Sequence, residues 1–231
     1  MRQWSSMLVP GSVWVEGWEF FQNNLDEFFE LFQQHLILVF AAVGGAIAFA
    51  MPIAILATRN DRARTLIMNF GNVAQTLPTL AVIALIFPIL GIGFWPSLVG
   101  LWLYAILPIL INTVTGIEDV DESTVEAAQG MGMTEFEVLR KIQLPLASSV
   151  IFAGIRTSTV LTVGTAYLAY FIGGGGLGVW VVTGITTLNP PMILAGAVPG
   201  AVLAVTLDTV LSAIERYLGG EGLHSGSSMA A

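Results

Sequence analysis

The sequence predicts an all-α integral membrane protein with about five transmembrane helices, and three observations carry that expectation. Of the 231 residues, 55% are hydrophobic and 10% charged, and the mean hydropathy is +0.80, outside the range of soluble domains. The run Thr65 to Ile117 holds no charged residue and is long enough for two spans and a turn, and the uncharged run Thr157 to Leu207 holds parts of two more. The longest polar island, Glu126 to Pro145, stands between those two runs.

Composition also excludes functions. Sixteen acids against eight bases give a formal net charge of -8, which argues against a nucleic-acid partner. With no cysteine, disulfides and thiolate metal sites are impossible. Only one of the eight bases, Lys141, is lysine, and the acids crowd the segments outside the spans, a hint of a salt-rich habitat.

Residues 1–35 read as an external interfacial segment. Met1 to Gln34 lack the basic stretch followed by an apolar core that marks a cleavable signal. Trp14, Trp18, Phe21, Leu25, Phe28, Phe29 and Phe32 recur at three and four, with Glu16, Glu19, Asp26, Glu27 and Glu30 between them. That is an amphipathic helix lying on lipid or packed on the spans.

The body, 36–217, then divides into spans at about 36–57, 66–90, 97–117, 146–172 and 192–216. Glycine and proline in Gly91 to Pro96 turn the chain between the second and third, and Gly173 to Pro191 separates the fourth from the fifth. A polar loop covers 118–145, and the tail 218–231 is expected to fray. Arg59, Arg62, Arg64, Arg140, Lys141 and Arg216 fall on one side of this arrangement and only Arg2 on the other. The positive-inside rule therefore puts the amino end outside and both the loop and the carboxyl end in the cytoplasm of a multi-pass cell-membrane protein.

The loop is more than a tight turn. Ser123 with Glu126, and Thr134 with Glu137, each have the spacing of a capping box, so two helix starts are predicted a few residues apart. Gly130 and Gly132 supply left-handed freedom between them, and Pro145 suits the first turn of the next span. Ala127 and Ala128 present a small-residue surface, while Phe136, Leu139 and Ile142 lie at near-helical spacing. These faces pack either on the chain's own spans or on a partner.

The order Glu126, Ala127, Ala128, then Gly132, Ile142, Leu144 and Pro145 resembles, without a gap, the EAA loop of ABC importer permeases. The segments QTLPTLAVIAL, LYAILPILINTVTGI and AYLAYFIGGGGLG are similar to the branch importing glycine betaine, choline, carnitine and related osmoprotectants. The resemblance covers roughly residues 36 to 217. It implies a MetI-like permease fold in the inner or plasma membrane, not an enzyme itself. It also implies ATP and Mg bound by a separate ATPase subunit, a separate extracellular or periplasmic binding protein, and a second permease subunit, identical or homologous. Within it, Glu126, Ala127, Ala128, Gly132, Ile142, Leu144 and Pro145 form the coupling helix that docks the ATPase. The rival readings are a permease of another ABC branch, of amino-acid or methionine type, and a self-sufficient channel or secondary carrier.

No catalytic constellation is visible. The two histidines, His35 and His224, are too few for a metal site or triad. Gly173, Gly175 and Gly178 satisfy GxGxxG, but after a span rather than a strand, and read as a flexible external loop. Arg156 and Asp208 are the only charges deep in spans, at similar depth, and are expected to face each other or one polar cavity, as a packing pair or as a gate. Asn69, Asn72, Thr76 and Thr79 share one face of the second span, with Gln75 beside them and Pro78 as a kink. That stripe is either helix-to-helix glue or the wall of a translocation path. Gly196, Gly200 and Ala204 suit close helix packing, in the protomer or across a dimer. Trp95, Tyr104, Tyr167, Tyr170 and Trp180 suit cation–π binding of a quaternary ammonium, but such residues more often form the interfacial belt, and they carry no assignment.

Overall fold

The computed structural model describes residues 10–218. The described chain is helical throughout: α1 (Pro10–Asn23), α2 (Leu25–Ala57), α3 (Asp61–Ala74), α4 (Thr79–Leu90), α5 (Phe94–Glu118), α6 (Glu122–Gly130), α7 (Glu135–Ile172), α8 (Gly178–Thr186) and α9 (Pro190–Leu218). Four of these, α2, α5, α7 and α9, are long and apolar enough to cross a membrane, and the bent pair α3 and α4 makes a fifth if it counts as one span. Arg2, His224 and the tail beyond Leu218 lie outside the described residues.

The chain folds into two compact units. The first unit comprises residues up to Gly45, Leu77–Ala105 and Thr159–Thr206. Its core gathers Phe28, Leu31, Leu177, Trp180 and Ala195, with Phe20, Phe21, Phe32 and Tyr167 packed around them. Part of the stretch expected to be interfacial over 1–35 is covered by the protein itself. Trp14, Trp18 and Phe29 are exposed, but Phe28 is buried, and the helix of the first span already begins at Leu25. The apolar positions at three and four that suit a lipid surface suit a protein surface equally well.

The glycine run in this unit is latched rather than flexible. Gly173, Gly175 and Gly176 all have positive φ. The Gly176 amide donates to Gln34 Oε1 at 3.1 Å and the Gly93 amide to the Ile172 carbonyl at 2.6 Å. A side chain at Gly174 would collide with Ser97, and one at Gly178 with the Tyr167 carbonyl. The small positions Gly196 and Gly200 are likewise used inside the protomer. Tyr167 donates to the Gly196 carbonyl at 2.9 Å, and its hydroxyl occupies the space a Cβ at Gly200 would need.

The second unit comprises Ala46–Thr76, Ile106–Ser158 and the chain from Leu207 onward. It is built on Ile117, Leu139, Ala147 and Ile151, flanked by Met51, Ile55, Leu144 and Ile155. Helix α3 starts where Asn60 Oδ1 accepts the amides of Arg62 and Ala63, with Asp61 favourably placed in the first turn.

The expected single helix over 66–90 is broken between α3 and α4. Pro78 has no amide hydrogen for the Ala74 carbonyl, and its ring disfavours a helical Leu77, so the chain leaves the helix over Gln75 to Pro78. Thr76 stabilises the exit by donating its hydroxyl to the Val73 carbonyl at 2.7 Å. Asn69 and Asn72 thus share a face of α3, whereas Thr76 sits in the break and Thr79 begins α4. The four residues do not form one continuous stripe.

Candidate coupling and translocation residues

The polar segment between α5 and the body of α7 forms an elbow of two helices. Its first start differs from the expected box. Asp121, not Ser123, is the N-cap: its carboxylate accepts from the Ser123 amide and hydroxyl. A carboxylate placed just ahead of the helix outcompetes the hydroxyl because it accepts more strongly and complements the positive end of the helix. The Ser123 hydroxyl and its amide together hold the Asp121 carboxyl below its usual value. Glu126 is released from the capping role and lies exposed on α6 beside exposed Ala127, while Ala128 is buried.

Beyond Gly130 the chain reverses at Gly132, whose φ of +87° is open to glycine and strained for any other residue. The turn is held by Gly132 N to Gln129 O at 2.9 Å and Met133 N to Ala128 O at 3.2 Å. The second box forms as the sequence predicts: the Thr134 hydroxyl accepts the Glu137 amide and the Glu137 carboxylate accepts the Thr134 amide. Lys141 Nζ closes on Glu137 Oε1 at 2.8 Å, and this ion pair, with the bonds to Thr134, lowers the Glu137 carboxyl to about 2. Met131 and Phe136 point outward, 73% and 59% exposed, so the elbow offers two large apolar side chains to its surroundings.

Pro145 stands in the first turn of the next segment, as the sequence expects, but no break precedes it. The chain runs from Glu135 to Ile172 without interruption, through a π turn at Leu139–Gln143 in which the Leu144 amide reaches the Leu139 carbonyl. One widened turn accommodates a residue that cannot donate and leaves the helix intact. Ile142 and Leu144 are half-buried here and Pro145 is exposed. Behind the elbow lies a cavity of about 500 Å³ bordered by Arg59, Arg64, Glu118, Glu122, Gln129 and Glu135. Arg64 pairs across it with Glu118 at 2.9 Å.

Of the path candidates, Asn69, Asn72, Gln75, Thr76 and Pro78 are all exposed, on α3 or in the break that follows it. Arg156 and Asp208 do come together, Nε to Oδ1 at 3.7 Å. A third group missed by sequence reasoning joins them: Glu215 Oε2 lies 3.5 Å from Arg156 Nη1. Glu215 is adjacent to Arg216 near the end of α9 and reads in sequence as part of a charged helix end, so position alone gave no signal. Trp180 is fully buried, which removes it as a ligand candidate, and the Tyr167 hydroxyl is committed to Gly196. Trp95 is 72% exposed. Among the described residues no group of three or more His, Asp or Glu stands together to hold a metal.

Comparison with known proteins gives a consistent picture. The chain is 42% identical over 204 residues to the glycine betaine/carnitine/choline transport system permease protein OpuCB of Bacillus subtilis, covering 88% of this chain and 94% of that protein. It is 42% identical over 205 residues to the choline transport system permease protein OpuBB of the same organism, covering 89% and 94%. It is 39% identical over 214 residues to the osmoprotectant import permease protein OsmY of Salmonella typhimurium, covering 92% and 91%. Among solved structures, the inward-facing MetNI methionine ABC transporter matches with a TM-score of 0.74 at 19% identity, over 83% of this chain and 95% of that one, a likeness of fold. The profile of one family, the binding-protein-dependent transport system inner membrane component, matches residues 46–220, and the chain belongs to that family.

Proposed function

We propose that this chain is the membrane-embedded permease of an ATP-driven importer of osmoprotectants, carrying glycine betaine, choline, carnitine or a similar quaternary ammonium compound. The observation that carries the substrate class is the identity near 40%, over most of both chains, to permeases named for glycine betaine, carnitine and choline transport.

In this reading the amino end is outside and the elbow is cytoplasmic, in keeping with the arginine distribution. Two such chains, identical or homologous, enclose one path, and a separate binding protein delivers solute to it. The elbow seats in a separate ATPase subunit through Met131 and Phe136, with Glu126 and Ala127 on α6 shaping the contact and Ala128 packing α6 onto the protein. Gly132 sets the angle between the elbow's helices, and Ile142 lies in the widened turn, with Leu144 and Pro145 just after it, where the elbow joins the span. Asn69, Asn72, Gln75, Thr76 and Pro78 line the path at the break in the second span, where unpaired backbone groups are tolerated only against protein or a water-filled cavity. ATP and Mg are bound by the partner. This chain makes and breaks no bond; it converts movement of the elbow into movement of its spans.

The test is uptake into proteoliposomes that contain the permease, its ATPase and its binding protein. ATP-dependent accumulation of labelled glycine betaine, choline or carnitine, undiminished by excess methionine, is the expected result. Equal accumulation without nucleotide would overturn the importer, and uptake of methionine alone would move the chain to another branch.

A further inference from the structure

The charge cluster in the second unit is unbalanced in a way the Arg156–Asp208 pair alone does not explain. One guanidinium faces two carboxylates, at 3.7 Å from Asp208 and 3.5 Å from Glu215. Charge-assisted hydrogen bonds from arginine run at about 2.7–2.9 Å, so neither pairing is closed. Glu215 Oε2 is buried and has no hydrogen-bond partner, although a cation lies beside it. Arg216, the next residue, donates its Nε to the Ser212 carbonyl at 3.3 Å.

The two carboxylates belong to one helix, α9, seven residues apart. Seven residues are two turns, so both project from the same face with about 10.5 Å of axial separation. Arg156, on α7, has its head between them. Sliding α7 along α9 in either direction closes one pair and opens the other, which is the geometry of a two-position element rather than of a static bridge. The means of sliding is in the same helix. The π turn at Leu139–Gln143 lies between the elbow and Arg156, and a widened turn is a place where helix register shifts by one residue, about 1.5 Å of rise.

We infer that Arg156 switches between Asp208 and Glu215 during transport, with Glu215 a positioning residue that stabilises one of two registers of α7 against α9. The inference rests on the importer reading. The structure holds the intermediate arrangement, in which both partners are near and neither is bonded.

The experiment compares Asp208→Asn and Glu215→Gln in the reconstituted complex, measuring uptake and the melting temperature in two states, nucleotide-free and trapped with ATP and vanadate. A switch predicts a split: one substitution lowers the melting temperature chiefly in the first state and the other chiefly in the second, with uptake falling about tenfold or more in both, the equivalent of about 1.4 kcal/mol. Equal destabilisation of both states by both substitutions, or wild-type uptake by Glu215→Gln, overturns it. Arg156→Lys keeps the charge but loses the broad planar head that reaches both acceptors, and is expected to keep the fold and lose uptake; normal uptake by this variant also overturns the switch. A wild-type complex with no ATP-dependent uptake overturns the importer reading instead, and the switch with it.

Discussion

Replacing Gly132 by alanine tests the elbow with a single methyl group. Gly132 has φ +87°, and a Cβ built there meets nothing within 4 Å, so the substitution costs backbone strain and no collision. Holding an L-residue in the left-handed region costs roughly 1–2 kcal/mol. If the backbone relaxes instead, it loses the bonds from Gly132 to Gln129 and from Met133 to Ala128, and the first turn of α7 points elsewhere. Either way the population of elbows in the docking geometry falls about 5- to 30-fold. Titration of the permease in nanodiscs with purified ATPase reads this as weaker binding by the same factor. Gly132→Asn is expected to lose less, because asparagine tolerates positive φ. Gly130 provides the control. It ends α6 with helical geometry and open space around it, so Gly130→Ala is expected to be neutral or to tighten the helix by up to about 1 kcal/mol. Gly132→Ala binding within about twofold of wild type, or Gly130→Ala weakening it as much, would refute the account.

Two further outcomes follow from burial and charge. Trp180 is fully buried and meets Phe20 edge-on at 5.2 Å, so Trp180→Ala is expected to cost about 3–5 kcal/mol and to lower the melting temperature in detergent sharply, whereas Trp95→Ala, at a largely exposed position, leaves it nearly unchanged. Glu137 has its carboxyl lowered to about 2, so its ionised form supports the capping box at all pH values above the ordinary carboxylate range and that support is lost only as pH falls toward 2. Carboxyl NMR titration of the labelled chain measures the midpoint, and a value at the ordinary 4.5 would contradict the box and the Lys141 pair.

Much of the fold was legible because the bilayer imposes one rule, that charge stays out of the apolar core, and the gaps between charges outline the long helices. What was not legible depended on partners far along the chain. The glycine run looked flexible in sequence because its restraint comes from Gln34, 142 positions away. The N-terminal aromatics looked lipid-facing because a helix face of tryptophan and phenylalanine carries no mark of what covers it, and here Trp180 covers part of it. Pro78 was legible as a perturbation but not as a break. Composition runs unchanged across it, and only the 100° bend between α3 and α4 shows that the helix has ended.

The elbow was the most legible part, since capping and left-handed turns are written in adjacent residues: the Thr134 box and the Gly132 turn both stand where their spacing put them. The junction just before Pro145 changes the mechanics most. A helix ending there would make a joint, and an elbow on a joint can swing while its span stays still. The π turn removes the joint: Glu137 of the Thr134 box, the exposed Phe136 and Arg156 all belong to one unbroken helix. In the importer reading, displacement of the elbow is carried along this helix toward Arg156, the connection on which the proposed switch rests.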